Sequence, residues 1–165
     1  MLNTKLKHLQ EYERRRIEIA AKYAEHFERM GLGSGVSVMD SEERDVKESS
    51  QILYPIPYTL SKTSNDYSFS HVFHQYVVRF KGFSREQRDS LRDYLTEQGI
   101  GTSIYYPMGL HQQKCFEYLN LPTGSFPVTE KACEETLALP IFPEMTDEEI
   151  KYVVDKIAEF VTNER

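Results

Sequence analysis

The chain has 165 residues, the length of one domain with a core of ordinary size. Hydrophobic residues make up 39% and charged residues 28%, which excludes a disordered tail, and no apolar run reaches the roughly 18–20 residues of a membrane helix. The net charge of −6 and the lack of a secretory leader pattern leave nucleic acid and membrane outside the expected partners.

Residues 2–30 read as one long helix. Leu2, Leu6 and Leu9 form a first apolar stripe, and Ile17, Ala20, Ala24 and Phe27 form a second after a lapse through Glu13 to Arg16. Two separated stripes suit a helix that bridges two bodies. Its first turn carries Lys5, Lys7 and His8, the wrong sign for a helix N-terminus, and residue 7 cannot complete a capping box with Thr4. The chain therefore reads as starting inside a helix. Gly31, Gly33 and Gly35 supply a helix stop and a linker.

Residues 36–70 are polar and irregular, including the acidic run Asp40 to Asp45, expected to be a solvated loop. Within them, Pro55 and Pro57 in "ILYPIPYTL" suit an edge strand or extended connector better than a central strand. Residues 75–80, "QYVVRF", predict a strand with Tyr76, Val78 and Phe80 on one face and Val77 on the other. Ser84 and Gln87 form a capping box ahead of a helix bearing Leu91, Tyr94 and Leu95, which Gly99 stops.

A strand is expected next, with Ile100, Thr102, Ile104 and Tyr106 on one side and Gly101, Ser103 and Tyr105 on the other. Residues 111–119 predict a short helix. Ser125 is placed to cap another, with Pro127 in its first turn and Ala132, Cys133 and Leu137 along it. After the short apolar segment "LALPIFP", Thr146 and Glu149 form a second capping box, opening a helix with Ile150, Val153, Val154, Ile157 and Val161 on its buried face. The sum is an α+β domain: a long N-terminal helix and a small, mostly antiparallel sheet packed against helices.

Chemistry is harder to find. His71 and His74 are three apart, a metal spacing on a helix, but the stretch reads as extended and no third ligand joins them; no metal is expected. Ser103 has no base and no nucleophile elbow. Arg79 at a strand end could clasp a carboxylate or phosphate, or be an exposed cross-strand charge. Tyr105 and Tyr106 are either contact residues or an alternating core and surface pair. His111 follows a proline turn at a strand end, where ligand-binding loops sit; a substrate-side role stands beside hydrogen bonding at a helix N-terminus. Cys115 and Cys133 fit no zinc or CxxC spacing, and a reduced pair in a cytoplasmic protein is expected. The residues read as a pocket rim with no reaction centre.

Five segments occur in a telling order: "LKHLQEYERRRIEIAAKYAEHF", "HQYVVRF", "LRDYLTEQGIGTSIYYPMGLHQQ", "FPVTEKACEETLALPIFPEMTDEEI" and "YVVDKIAEFV". Together they resemble the C-terminal small domain of the DegT/StrS sugar aminotransferases, pyridoxal-phosphate enzymes of the aspartate-aminotransferase fold type. The resemblance covers most of the chain outside about residues 36–70. It implies one domain over 1–165: a linking helix at 1–30, an insertion at 36–70 and an α+β core at 71–165.

The resemblance also implies what lies elsewhere. The Schiff-base lysine, the aspartate on the pyridine nitrogen and the phosphate cup belong to a large N-terminal domain, and none of this chain's lysines matches that lysine. No catalytic or cofactor-binding residue is therefore expected here. Pyridoxal phosphate belongs to the complete enzyme, which would be a homodimer acting on keto-sugar nucleotides by ping-pong transamination. The family's His-Tyr-Pro followed by a later His maps onto Tyr105, Tyr106, Pro107 and His111, with Tyr105 where histidine is usual. Tyr105, Tyr106 and His111 are the implied substrate-binding residues. The alternative is a non-catalytic sensing or dimerising module of ACT type, which would bury the Leu2, Leu6 and Leu9 stripe in a dimer.

Overall fold

The computed structural model describes residues 2–36, 51–56, 59–60 and 69–163. The acidic run Asp40 to Asp45, Pro57, and most of the expected insertion lie outside the described residues. The element order is α1 (Leu2–Leu6), α2 (Leu9–Arg29), β1 (Gly33–Val36), β2 (Ile52–Pro55), β3 (Thr59–Leu60), β4 (Phe69–Ser70), β5 (Tyr76–Phe80), α3 (Arg85–Glu97), α4 (Pro127–Glu135), β6 (Thr136–Leu139) and α5 (Asp147–Asn163). Two 3₁₀ turns, Leu110–Gln112 and Lys114–Leu119, lie between α3 and α4.

A four-stranded sheet runs in the order β1-β2-β5-β6, with β1–β2 parallel and the other pairs antiparallel. Period-2 alternation puts Tyr76, Val78 and Phe80 on one face of β5, joined by Ile52, Tyr54, Leu137 and Leu139 from its neighbours. Helices α2, α3 and α5 cover that face. From α2 come Ile19, Ala20, Tyr23 and Phe27, all fully buried, and from α3 Leu91 and Leu95. All five residues expected on the buried face of α5 lie in this core. Ring stacking couples α2 to the sheet: Tyr23 lies 4.9 Å from Tyr76 and Phe27 5.1 Å from Tyr54.

Helix α2 is also bonded to the segment after β6. Arg15 donates to the carbonyls of Pro143 at 3.2 Å and Met145 at 3.3 Å, and the Tyr23 hydroxyl donates to the Pro140 carbonyl at 3.0 Å. Lys22 pairs with Asp147 at the start of α5. The N-terminal part of the helical region is unsupported by comparison, and Leu6 and Leu9 are exposed.

Several elements differ from the reading of the sequence. The single helix expected over 2–30 is broken at Lys7 and His8, where the His8 N–H donates to the Lys5 carbonyl as a tight turn. The expected linker after Gly31 is strand β1. Its approach to β2 is so close that a Cβ on Gly33 would lie 2.1 Å from the Ile52 carbonyl oxygen, so only glycine fits. Strand β2 is an interior strand, not an edge one. The N–H groups of Ile52 and Ile56 donate toward β1, so Pro55 turns its missing donor toward β5, whose pairing with β2 stops at Leu53. The strand expected over 100–106 reduces to one bridge, Ser103 with Ala138. Leu137 belongs to β6, because the helix that was expected to carry it ends at Glu135.

Since Leu137 is fully buried between β5 and the covering helices, Leu137→Ala should lower the unfolding free energy by about 2–5 kcal/mol in urea. A loss below roughly 1 kcal/mol, the size seen for surface substitutions, would contradict this placement.

Candidate functional site

The candidate site hangs from the β6 edge of the sheet. Ser103 and Ala138 exchange both backbone hydrogen bonds, at 3.1 and 2.8 Å, fixing the start of the segment that reaches Tyr105 and Tyr106. The peptide between the two tyrosines is cis. Tyr105 is 41% and Tyr106 70% exposed, large values for aromatic side chains in a fixed segment. Their rings meet edge to face at 6.1 Å. A cavity of about 230 Å³ lies beside them, bordered by His74, Gln75, Thr102, Tyr105 and Ile141. An apolar groove of about 790 Å³ adjoins it, between Ile100, Pro140, Phe142, Met145 and the α5 residues Tyr152 and Val153.

Beyond the tyrosines the rim is tied down twice. Arg85, in the first turn of α3, donates to the Pro107 carbonyl. Then the first 3₁₀ turn closes on itself: Gly109 N–H donates to the Gln112 side chain at 3.1 Å, and Gln112 N–H returns to the Gly109 carbonyl at 3.0 Å. Its central residue is His111. The His111 side chain is 7% exposed, its Nε2 lies 2.8 Å from Glu130 Oε1, and its ring is 4.8 Å from Phe126.

Glu130 sits in the first turn of α4, where exposed backbone N–H groups attract a carboxylate. It accepts from Gly124 N–H at 2.9 and 2.8 Å and from Phe126 N–H at 3.3 Å, besides the contact with His111. Glu130 thus ties the turn ahead of α4 to the helix, while no side chain caps α4 itself; Ser125, expected to do so, donates its hydroxyl to the Pro122 carbonyl at 2.6 Å. Donation by Gly124 N–H, with smaller contributions from His111 and Phe126, holds the Glu130 carboxyl below its ordinary value.

The far end of α4 is fixed by two buried charges. Glu135, with no side-chain exposure, accepts from Arg79 Nε at 2.5 Å and from Gly82 N–H at 2.7 Å. Arg88, 1% exposed, donates to the Cys133 carbonyl at 2.9 Å and the Thr136 carbonyl at 3.4 Å, and pairs with Asp89. A cation is thereby placed at a helix C-terminus, where it satisfies orphan carbonyls. Arg79 does clasp a carboxylate, one belonging to this chain.

The three expected site residues fall on one short segment but in different settings: the tyrosines project, while His111 is held inward by Glu130. Glu130, Glu135 and Arg88 were not singled out in the sequence. For Glu130 a signal was present, an acid in the first turn of a helix that begins with proline. His71 accepts from Phe73 N–H at 3.0 Å, and among the described residues no group of three or more His, Cys, Asp or Glu could hold a metal. Both cysteines are free; burial raises the Cys133 thiol, and Cys115 is exposed. No helix among the described residues is long and apolar enough to cross a membrane.

Pyridoxal phosphate needs a Schiff-base lysine beside an anion cradle, and the described lysines do not offer that pair. Lys22, Lys131, Lys151 and Lys156 are engaged with acids on helix surfaces. Lys114 borders a cavity of about 360 Å³ together with Glu117, a residue of the wrong sign for a phosphate. The described residues of this chain do not fit the cofactor.

A small mixed sheet covered on one face by three helices is an α+β fold, and it matches aminotransferase structures. Residues 1–158 match the DegT/DnrJ/EryC1/StrS aminotransferase family, and the chain belongs to it. It is 50% identical over 90 residues to a pleiotropic regulatory protein of Geobacillus stearothermophilus, covering 54% of this chain and 23% of that protein. It is 32% identical over 157 residues to the dTDP-3-amino-3,6-dideoxy-alpha-D-galactopyranose transaminase of Aneurinibacillus thermoaerophilus, covering 95% of this chain and 34% of that one. Its fold matches the crystal structure of S. venezuelae DesV in complex with a ketimine intermediate, with a TM-score of 0.69 and 27% identity, over 96% of this chain and 34% of that one. The chain thus spans between 23% and 34% of the length of these proteins.

The depressed Glu130 carboxyl makes a signed prediction. Its contribution to stability is fully present above the ordinary value of 4.5 and is lost as pH falls through the lower folded value. Side-chain NMR titration should place Glu130 below 4.5, with the Gly124 amide and the His111 ring shifting in the same step. A midpoint at or above 4.5 would contradict these hydrogen bonds. Separately, Glu135→Ala removes the side-chain acceptor of the Gly82 N–H and one partner of Arg79, and should cost about 1–3 kcal/mol in denaturant unfolding. An unchanged midpoint would mean that the buried carboxylate holds nothing.

Proposed function

We propose that this chain is the C-terminal small domain of a pyridoxal-phosphate-dependent aminotransferase that acts on keto-sugar nucleotides, with α1 and α2 leading to a cofactor-bearing domain. Residues 1–158 match an aminotransferase family, and the transaminase relative that covers 95% of this chain acts on a dTDP sugar by name. The observation that carries the reading is the rim itself: two exposed tyrosines held by a sheet bridge, an arginine and a part-buried histidine–glutamate pair. Exposed aromatics on a fixed support make a contact surface for a sugar or base ring at little entropic cost.

In this reading the cofactor supplies amino-group transfer from outside this chain. The domain's own residues bind, orient and exclude water. Tyr105 and Tyr106 form the substrate-side wall, and His111 contributes to substrate binding from the turn behind them. The apolar groove beside the rim keeps its floor dry. The complete enzyme would be a homodimer, and the chain alone would be inactive, having no lysine suited to the Schiff base.

The test replaces the matching third of the Aneurinibacillus thermoaerophilus transaminase with this chain. A soluble, cofactor-loaded fusion should transaminate a dTDP-keto sugar with glutamate as donor. Tyr106→Ala should raise KM about tenfold or more, the loss of roughly 1.4 kcal/mol of binding. A loaded fusion without transamination would overturn the reading. So would a stoichiometric, borohydride-reducible adduct of the isolated chain with pyridoxal phosphate, for its claim of inactivity.

A further inference from the structure

Glu130 does more than bind the turn ahead of α4. It accepts from the Gly124 and Phe126 N–H groups, yet Oε1 is also aimed at His111 Nε2 at 2.8 Å across nineteen residues of sequence. The ring is enclosed on its other sides. Phe126 lies against it at 4.8 Å, and Gly109 approaches so closely that a Cβ there would sit 2.7 Å from His111 Cε1 and 2.8 Å from Nδ1. Gly109 has φ −64° and ψ 152°, which any residue adopts, so what crowds a side chain there is the ring, with Thr129 Cγ2 at 3.3 Å beside it.

We propose that Glu130 is the positioning residue of the rim: it holds a proton on His111 Nε2, and through that ring sets the Tyr105–Leu110 segment against α4. A neutral imidazole that donates from Nε2 keeps Nδ1 as an acceptor, so the carboxylate selects the tautomer. Because Gly109 rests on the same ring and Pro107 is held by Arg85, displacing the ring moves the chain that carries the tyrosines. The functional meaning of this arrangement rests on the proposed substrate-side role of the rim, whereas the arrangement itself is testable without it.

The experiment is long-range ¹H–¹⁵N NMR on the 165-residue chain at pH 7.5, with dTDP-glucose added as a probe. In the wild type, His111 should show the Nε2–H signature. Gly109→Ala should displace the ring and abolish that signature while the Gly124 and Phe126 amides keep their shifts. Glu130→Gln should mix the tautomers and shift the amides of 105–112, leaving those of 150–161 unmoved. A mixed or Nδ1–H tautomer in the wild type overturns the proposal even if neither variant folds. So do variants in which the His111 and Tyr106 resonances stay in place. The probe decides the other question. Shifts at Tyr105 and Tyr106 that weaken at least threefold in affinity in both variants support the positioning role, and equal affinity in all three proteins overturns it. No shift in the wild type overturns the substrate-side reading and leaves the tautomer result to decide the position of Glu130.

Discussion

The junction between α4 and β6 carries the candidate site, and two buried charges decide its geometry. Glu135 is the last residue of α4 and Thr136 the first of β6, so the chain changes from helix to strand with no loop between them. Such a change leaves carbonyls at the helix end without partners. Arg88 supplies donors to the Cys133 and Thr136 carbonyls on either side of the junction, and Glu135 takes Arg79 from the neighbouring strand and Gly82 N–H from the turn after it. Burying a lone charge would be prohibitive. Here each charge is paired and hydrogen-bonded, which ties α3, α4, β5 and β6 to a single register.

Both ends of the rim depend on that register. Ser103 hangs from Ala138, three residues after Glu135, and His111 is latched to Glu130, five residues before it. One short stretch of chain therefore supports the rim at its start and at its end. If α4 slid by a residue, Ala138 would turn to the opposite face of the sheet, because side-chain direction in a strand has period two. Glu130 would leave the line of His111 at the same time. The two anchors are separate bonds with a common foundation, which is how a segment with one bridge of β structure can keep two large aromatic rings exposed in a fixed place.

What was legible in the sequence follows from what is local. The capping box at Ser84 and Gln87 and the acid three residues after Thr146 were readable because cap chemistry acts within one turn; the structure has both. The β5 alternation and the α5 stripe were readable because a single buried face imposes a strict period. Three of the misreadings are cases where a distant partner decides. Gly33 reads as a linker until the Ile52 carbonyl arrives beside it. Pro55 reads as an edge residue because the early end of β2–β5 pairing is invisible along the chain. Residues 100–106 alternate like a strand, but only Ser103 finds a partner. Of the site, the position of the tyrosines and His111 along the chain was visible, while Glu130, Glu135 and Arg88 required the fold to bring them to their partners.

Helix α2 adds a constraint from the opposite side of the domain. Its middle turns bond the segment that follows β6 at Pro140, Pro143, Met145 and Asp147, the same segment that forms one wall of the apolar groove. The exposed Lys22–Asp147 pair contributes little by itself, about 0–1 kcal/mol. The Tyr23 and Arg15 bonds are different in kind, since they reach main-chain carbonyls and so fix the path of the chain. With Tyr23 and Phe27 also stacked on Tyr76 and Tyr54, the helix cannot rotate without carrying Pro140 to Asp147 and disturbing β5 and β2. The α2 helix and the groove wall therefore move as one body. A domain attached through α1 and α2 would meet the groove and the rim in a single orientation, set by packing inside this chain.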